Sequence, residues 1–350
     1  MAETTKTPKE SFRELQEAAG FEVIPCTKAP NLSDKGQFTP LSLNPVQQKQ
    51  IENLIAQLPN LIANEANSDV FAVSFPHGLA DSMTSIISTF APVLGIQQAT
   101  LLSAFSAMLI SAGQHYLTQV NSGLSMIHKK TDEILAFLYG EKKAELLAEV
   151  NFVQYAQKNF TAISLNDAQH VATIGSLQDA KKIAIKDIEF YLTDLTTIVS
   201  DSGKAKNAGE FEDSIVKALQ IEQCISLSVQ LYILGSLLEV YYAQNFEPSY
   251  LEFIEEQAKE YIGKCNNRLI SLFSILTKAI EDFKDGFAVP GAKAKKFDKS
   301  KYARKVSRIS DDLETGKNAD LIKMLHTILL TPAKQLDCYL SEDGKAYVKH

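Results

Sequence analysis

From Ser82 to His128 the chain runs through 47 consecutive residues with no Asp, Glu, Lys or Arg. In a chain with 22% charged residues, chance gives such a run in roughly one chain in two thousand, so it has a cause. Two causes compete. Ser88 to Gly113 is long enough to enter or cross a bilayer, which takes ~20 predominantly apolar residues. Pro92 and Gly95 are placed to shape the tip of a helical hairpin, and the Ala, Ser and Gly around them allow close helix packing in lipid. The opposing cause is a hairpin buried as protein core. Gln97, Gln98, Gln114, Asn121 and many Ser and Thr dilute the run, and core helices of bundles have the same composition.

The segment leads into apolar patterns of helical period. Leu117, Val120, Leu124, Ile127, Thr131, Ile134 and Leu138 are spaced 3,4,3,4,3,4, a heptad seam with Thr131 as its weak slot. Gly140 interrupts it, and Leu146, Leu147, Val150 and Val153 resume the stripe. A helix starting at Ser164 to Asn166 carries the seam Ile185, Ile188, Leu192, Leu195, Val199. A Ser/Gly/Asn/Lys-rich loop at 200–209 separates it from a helix over Glu210 to Asn245, whose uncharged centre, Gln223 to Leu238, belongs inside a bundle. Pro248 opens a further helix to Lys284, with Ser249 and Glu252 as a capping box and the seam Ile254, Ala258, Tyr261, Cys265, Leu269, Leu272, Leu276, Phe283. At 1.5 Å per residue that helix is about 54 Å long, several times the usual globular length.

The flanks differ. Residues 1–44 form an N-terminal extension with one short helix, capped by Ser11 and Glu14 and ended by Gly20. A helix then runs from Pro45 to Ala66, with Pro59 set to kink or split it. Val70 to Phe75 reads as a short strand or an extended loop. After the bundle at 45–286, residues 287–350 comprise a basic linker, a short helix over Leu321 to Leu330, and a hairpin from Cys338 to Val348 with Asp343-Gly344 as a two-residue turn. The expected fold is all-α: an elongated bundle of long antiparallel helices with heptad seams, an apolar helical hairpin at 82–113, and a small C-terminal β-hairpin.

The linker holds Lys293, Lys295, Lys296, Lys299, Lys301, Arg304, Lys305 and Arg308 against Asp298 alone, with Phe297 and Tyr302 interleaved. Such a segment suits an anionic surface, or it is a solvated run that offsets acidic helix faces. The net charge of -7 argues against a nucleic-acid partner. No apolar leader opens the N-terminus, so the expected location is cytoplasmic, or released without a signal peptide, with membrane association when active. Cys26, Cys224, Cys265 and Cys338 have no metal-ligand spacing and read as reduced thiols. There is no HExxH, GxSxG, P-loop or GxGxxG, so no cofactor or metal is expected and the chain does not read as an enzyme. Glu141, Glu145 and Glu149 share a helix face and read as solvated carboxylates, and Asp167 with His170 as a surface pair.

Long antiparallel helices, little β structure and one uncharged segment between heptad helices resemble the α-helical pore-forming toxins, the family of cytolysin A and the Bacillus tripartite enterotoxins. The resemblance spans residues 45 to 285. It implies a head that is folded away in the soluble form and enters the membrane on assembly. Leu94, Ile96, Leu101, Leu102, Phe105, Met108, Leu109 and Ile110 would be the inserting face, with a lipid membrane and either identical or related subunits as partners. The alternative is a non-enzymatic cytosolic helical scaffold or partner-binding protein, for example in phage defence, with the uncharged hairpin as its core.

Overall fold

A computed structural model describes residues 7–62, 68–75, 96–119, 134, 138, 140–284, 297–315, 317–330 and 335–349. Among these it has ten helices: α1 Pro8–Ala19, α2 Pro45–Leu61, α3 Ile96–Gln119, α4 Gly140–Lys158, α5 Phe160–Ser164, α6 Asp167–Ser202, α7 Ala208–Ala243, α8 Pro248–Asp282, α9 Lys299–Thr315 and α10 Lys317–Leu330. Five strands accompany them: β1 Glu22–Pro25, β2 Phe38–Pro40, β3 Val70–Phe75, β4 Leu336–Ser341 and β5 Ala346–Lys349. The protein is mostly helical, and the C-terminal hairpin is present. It does not stand alone, however. β4 and β5 sit inside a five-stranded antiparallel sheet of order β1-β3-β4-β5-β2.

The register explains why the sheet closes there. Val23 pairs with Val73, Val73 with Cys338, and Cys338 with Val348, so one sheet face is a continuous buried row. Phe71 opposite Leu340 and Phe75 opposite Leu336 extend it. α2 supplies the covering side chains Ile51, Leu54, Ile55 and Leu58, all buried. Both edge strands are short and contain proline, Pro25 in β1 and Pro40 in β2, which leaves little ladder for another chain to join. The ambiguous segment at 70–75 is thus a central strand, paired on one side with β1 and on the other with β4 more than 260 residues away, where Ser74 Oγ donates to Asp337 at 2.7 Å.

The hairpin turn is one residue longer than the sequence suggests. Ser341 N–H donates to the Lys345 carbonyl at 3.0 Å, enclosing Glu342, Asp343 and Gly344. Gly344 takes the left-handed conformation at φ 76°, which makes a three-residue loop ending in a glycine bulge. A Cβ at Gly344 would also lie 2.4 Å from Glu52 Cγ of α2. Gly344→Ala is therefore expected to destabilise the fold by about 2 kcal/mol, read as a lower urea midpoint.

Helix ends follow local chemistry, with two corrections. α1 is capped by Thr7 and Glu10, not by Ser11 and Glu14. The motif T-x-x-E occurs four residues earlier and brings Pro8 into the first turn, where its missing N–H costs nothing. α8 begins at Pro248 after Glu247, without a side-chain cap, so Ser249 and Glu252 do not form the expected box. α2 ends at Leu61, two residues after Pro59, rather than at Ala66.

α6 and α7, 36 residues each, are joined by only Gly203 to Asn207, and Asn207 caps α7 by accepting from Glu210 N–H. They run in opposite directions: His170 meets Tyr242, Lys181 meets Glu239, and Tyr191 lies beside Cys224. From Cys224 to Tyr242 every residue of α7 is buried, as its uncharged centre requires. α8 lies against α6, where Arg268 meets Glu189 at 2.6 Å.

The buried stripe of α8 differs from the heptad expectation. Its members are Leu251, Ile254, Ala258, Ile262, Cys265, Leu269, Phe273, Leu276 and Ile280, advancing 3,4,4,3,4,4,3,4. Tyr261, Leu272 and Phe283 are only half-buried. α6 advances similarly, since Thr173, Ala184 and Leu195 recur every eleven residues, as do Leu177, Ile188 and Val199. An eleven-residue period, 3.67 residues per turn, stays close to a straight helix, whereas a strict heptad winds left-handed. Of the first expected seam, Leu117 and Ile134 are buried and Leu138 half-buried, and its other members lie outside the described residues.

Candidate functional site

The residues expected to meet a membrane fall into two groups. In the described part of the uncharged run, α3 has a broad buried face over 104–113, with Ser103 exposed and Ser106 half-buried. Ala104, Phe105, Met108, Leu109 and Ala112 have no exposed surface, and Ile110 keeps 5%. Phe105 lies 4.3 Å, centroid to centroid, from Phe21, which in turn lies 5.8 Å from Phe75 of β3 and 6.2 Å from Phe12 of α1. Gln114, read from sequence as a polar dilution of the run, ties α3 down. Its amide donates to the Gln157 carbonyl at 2.9 Å, and Gln157 donates back to the Leu117 carbonyl at 2.9 Å. Ile96, Leu101 and Leu102 belong to the same helix. Leu94, Pro92 and Gly95 lie outside the described residues.

The second group forms an exposed surface. The expected basic linker is helical from Lys299 onward, as α9. Its dense charge concealed an inward stripe of Tyr302, Val306 and Leu313, all buried. Phe297 stacks on Tyr302 and packs edge-on against Phe211 and Phe283, pinning the start of α9 to α7 and the end of α8. The Tyr302 hydroxyl donates to Glu212. On the opposite face Lys301, Arg304, Lys305 and Arg308 sit at i, i+3, i+4 and i+7, all exposed. Arg304, Lys305 and Arg308 make no ion pair among the described residues, while Lys301 lies over the Tyr302 ring and Lys299 donates to the Glu281 carbonyl. Asp298, the one acid of the run, accepts from Lys301 N–H at 3.0 Å and is engaged as the helix cap. Lys293, Lys295 and Lys296 lie outside the described residues.

Two polar clusters escaped the sequence reading. In the first, Lys142 of α4 bonds Asp187 of α6 at 2.8 Å and Glu145 at 2.5 Å, beneath the ring of Phe190. Glu149, one turn further along α4, is buried with neither carboxylate oxygen bonded, so it is not the solvated carboxylate expected. Burial, and then the charges of Asp187 and Glu145, push its carboxyl up to about 8. Burial also raises Asp187, against the pull of Lys142. Burial alone would lower the Lys142 ammonium, but its hydrogen bonds to Asp187 and Glu145 outweigh that and hold it above the usual lysine range. The neighbouring Cys224 thiol is pushed up to about 12 by burial, as is Cys265, so both are held as neutral thiols.

The second cluster lines a cleft of about 330 Å³ between α6, α7 and α8. Lys181 and Glu239 pair there at 2.7 Å, Gln178 donates to Glu239 at 2.9 Å, and Tyr232 and Tyr261 form the apolar wall. Gly235 makes the pairing possible: a Cβ at that position would lie 2.9 Å from Lys181 Cγ. His170 does not pair with Asp167 as expected. Its Nε2 meets the Tyr242 carbonyl across the α6–α7 contact, a partner that helical spacing cannot reveal. Among the described residues no group of three or more His, Cys, Asp or Glu could hold a metal ion.

The fold and these surfaces define a mostly helical protein with a small antiparallel sheet. No family model, curated protein or solved structure matches the chain.

Proposed function

We propose that the protein is a non-enzymatic helical interaction protein. In this reading its long helices form an elongated bundle, α3 is permanent core, and the outward face of α9 makes contact with a partner. The observation that supports it is the setting of α3. A sheltered inserting helix and a core helix are both hidden in a soluble fold, and they differ in what their departure would uncover. α3 leaves behind Phe12 of α1, Phe21 just before β1 and Phe75 of β3. Each large apolar side chain so exposed costs about 1.5–3 kcal/mol, so release of α3 amounts to unfolding the region around the sheet. α7, the described helix long and apolar enough to cross a membrane, is likewise buried throughout its apolar stretch.

The pore-forming reading keeps the same starting fold and adds insertion of residues 82–113. Dye release from liposomes separates the two. The core reading expects no leakage from neutral or anionic vesicles at any protein concentration that leaves the protein folded. Leakage that scales with protein and is lost in a Phe105→Lys variant that still folds would replace it with the pore-forming reading.

A further inference from the structure

The basic face of α9 has a charge order that works against its own helix. Lys299, Lys301, Arg304, Lys305 and Arg308 occupy its first three turns, while Asp311 and Asp312 lie towards its end. A helix is stabilised by acids near its N-terminus and bases near its C-terminus, and α9 has no acid in its first turn and no base in its last. Asp298 at the N-cap offsets part of the dipole, but Arg304, Lys305 and Arg308 make no ion pair among the described residues, so an external anion would relieve both their mutual repulsion and what remains of the dipole.

We infer that this face docks the protein on an anionic lipid surface, an inference that rests on reading α9 as the contact element. The choice between lipid and nucleic acid comes from the aromatics. Phe297 and Tyr302, interleaved in the basic run, would be the residues to stack on bases. Both are buried, at 6% and 3% exposure, and engaged with Phe211, Phe283 and Glu212. What remains outward is a row of cations without a stacking platform. Lys301 to Arg308 covers about 10 Å of helix axis at 1.5 Å per residue. A flat array of phosphate and carboxylate headgroups needs charge and no base readout. The net charge of -7 also disfavours a long polyanion wrapping beyond this face.

The test is flotation of the full chain with vesicles of phosphatidylcholine alone and of phosphatidylcholine mixed with phosphatidylserine, at low and high salt. A variant carrying Lys301→Gln, Arg304→Gln, Lys305→Gln and Arg308→Gln is compared with one carrying Lys143→Gln, Lys158→Gln, Lys217→Gln and Lys278→Gln. The second set changes net charge equally at exposed helix positions elsewhere. The face variant is expected to lose roughly 10²–10³-fold in partitioning to anionic vesicles, at about three- to fivefold for each cation removed, with its melting curve unchanged. The control variant is expected to stay within a few-fold of the wild type. Equal loss in both variants, equal binding to neutral and anionic vesicles, or absence of flotation would overturn the inference. So would binding to a DNA duplex in fluorescence anisotropy under conditions where vesicles are not bound. None of these results touches the core reading of α3, which is tested separately by leakage and by the stability of α3 variants.

Discussion

Met108→Lys is expected to lower the free energy of unfolding by about 5 kcal/mol or more, enough to leave most of the chain unfolded at 25 °C. Met108 has no exposed surface, and its neighbours on α3 (Ala104, Phe105, Leu109, Ala112) have none either. The side chains are similar in length, so the effect comes from charge and not from volume. The ammonium would sit among buried apolar side chains and must either stay desolvated or drag α3 open. Met108→Leu is the control: a volume-conserving apolar swap costs under about 1.5 kcal/mol. Urea unfolding followed by far-UV circular dichroism reads both. A Met108→Lys protein that melts like the wild type would show that α3 leaves its site at little cost, and the pore-forming reading would then be the better one.

How much of this was legible beforehand depends on how local each signal is. The helices over 167–202, 208–243 and 248–282 follow from period, turn residues and capping, and the all-round apolar centre of α7 already marks it as interior. The stripe of α8 was read one residue off at Tyr261 and Leu272, because both are as apolar as Ile262 and Phe273 and period alone does not choose between them. The sheet was half visible. A tight hairpin announces itself within a dozen residues, whereas β3 pairs with β4 across more than 260 and has only six residues of its own. α9 was missed because the inward Tyr302, Val306 and Leu313 are outnumbered by cations, and a helix held mainly by contacts to α7 and α8 needs few apolar residues. Glu149 was misjudged for a related reason. Glu141, Glu145 and Glu149 are equivalent on one helix, and only the approach of α6 with Asp187 makes the last of them interior.

That burial leads to the second large effect, a stability that falls as the solution turns alkaline. In the unfolded chain Glu149 ionises with the ordinary value of 4.5, and in the fold it holds its proton up to about 8. Between those values the folded state binds more protons than the unfolded state, so stability declines as pH rises, at about 1.4 kcal/mol per pH unit where the difference is one full proton. The groups facing the carboxyl are Lys142 and Glu145 on its own helix and Lys186 and Asp187 on α6. Asp187, also raised, adds to the decline in the same direction. Glu149→Gln keeps the shape, removes the titration and leaves Asp187 paired with Lys142. The variant is expected to match the wild type near pH 5 and to exceed it by a few kcal/mol near pH 9, with most of the alkaline slope gone. Urea midpoints collected across that range decide it. If the glutamine protein loses stability with pH as steeply as the wild type, the slope has another source. Lysine deprotonation is too far up the scale to supply it, because Lys142 is held above the usual lysine range by Asp187 and Glu145. The loss of that proton leaves Glu149 as an unpaired buried charge beside Asp187, so the alkaline cost falls on the contact between α4 and α6.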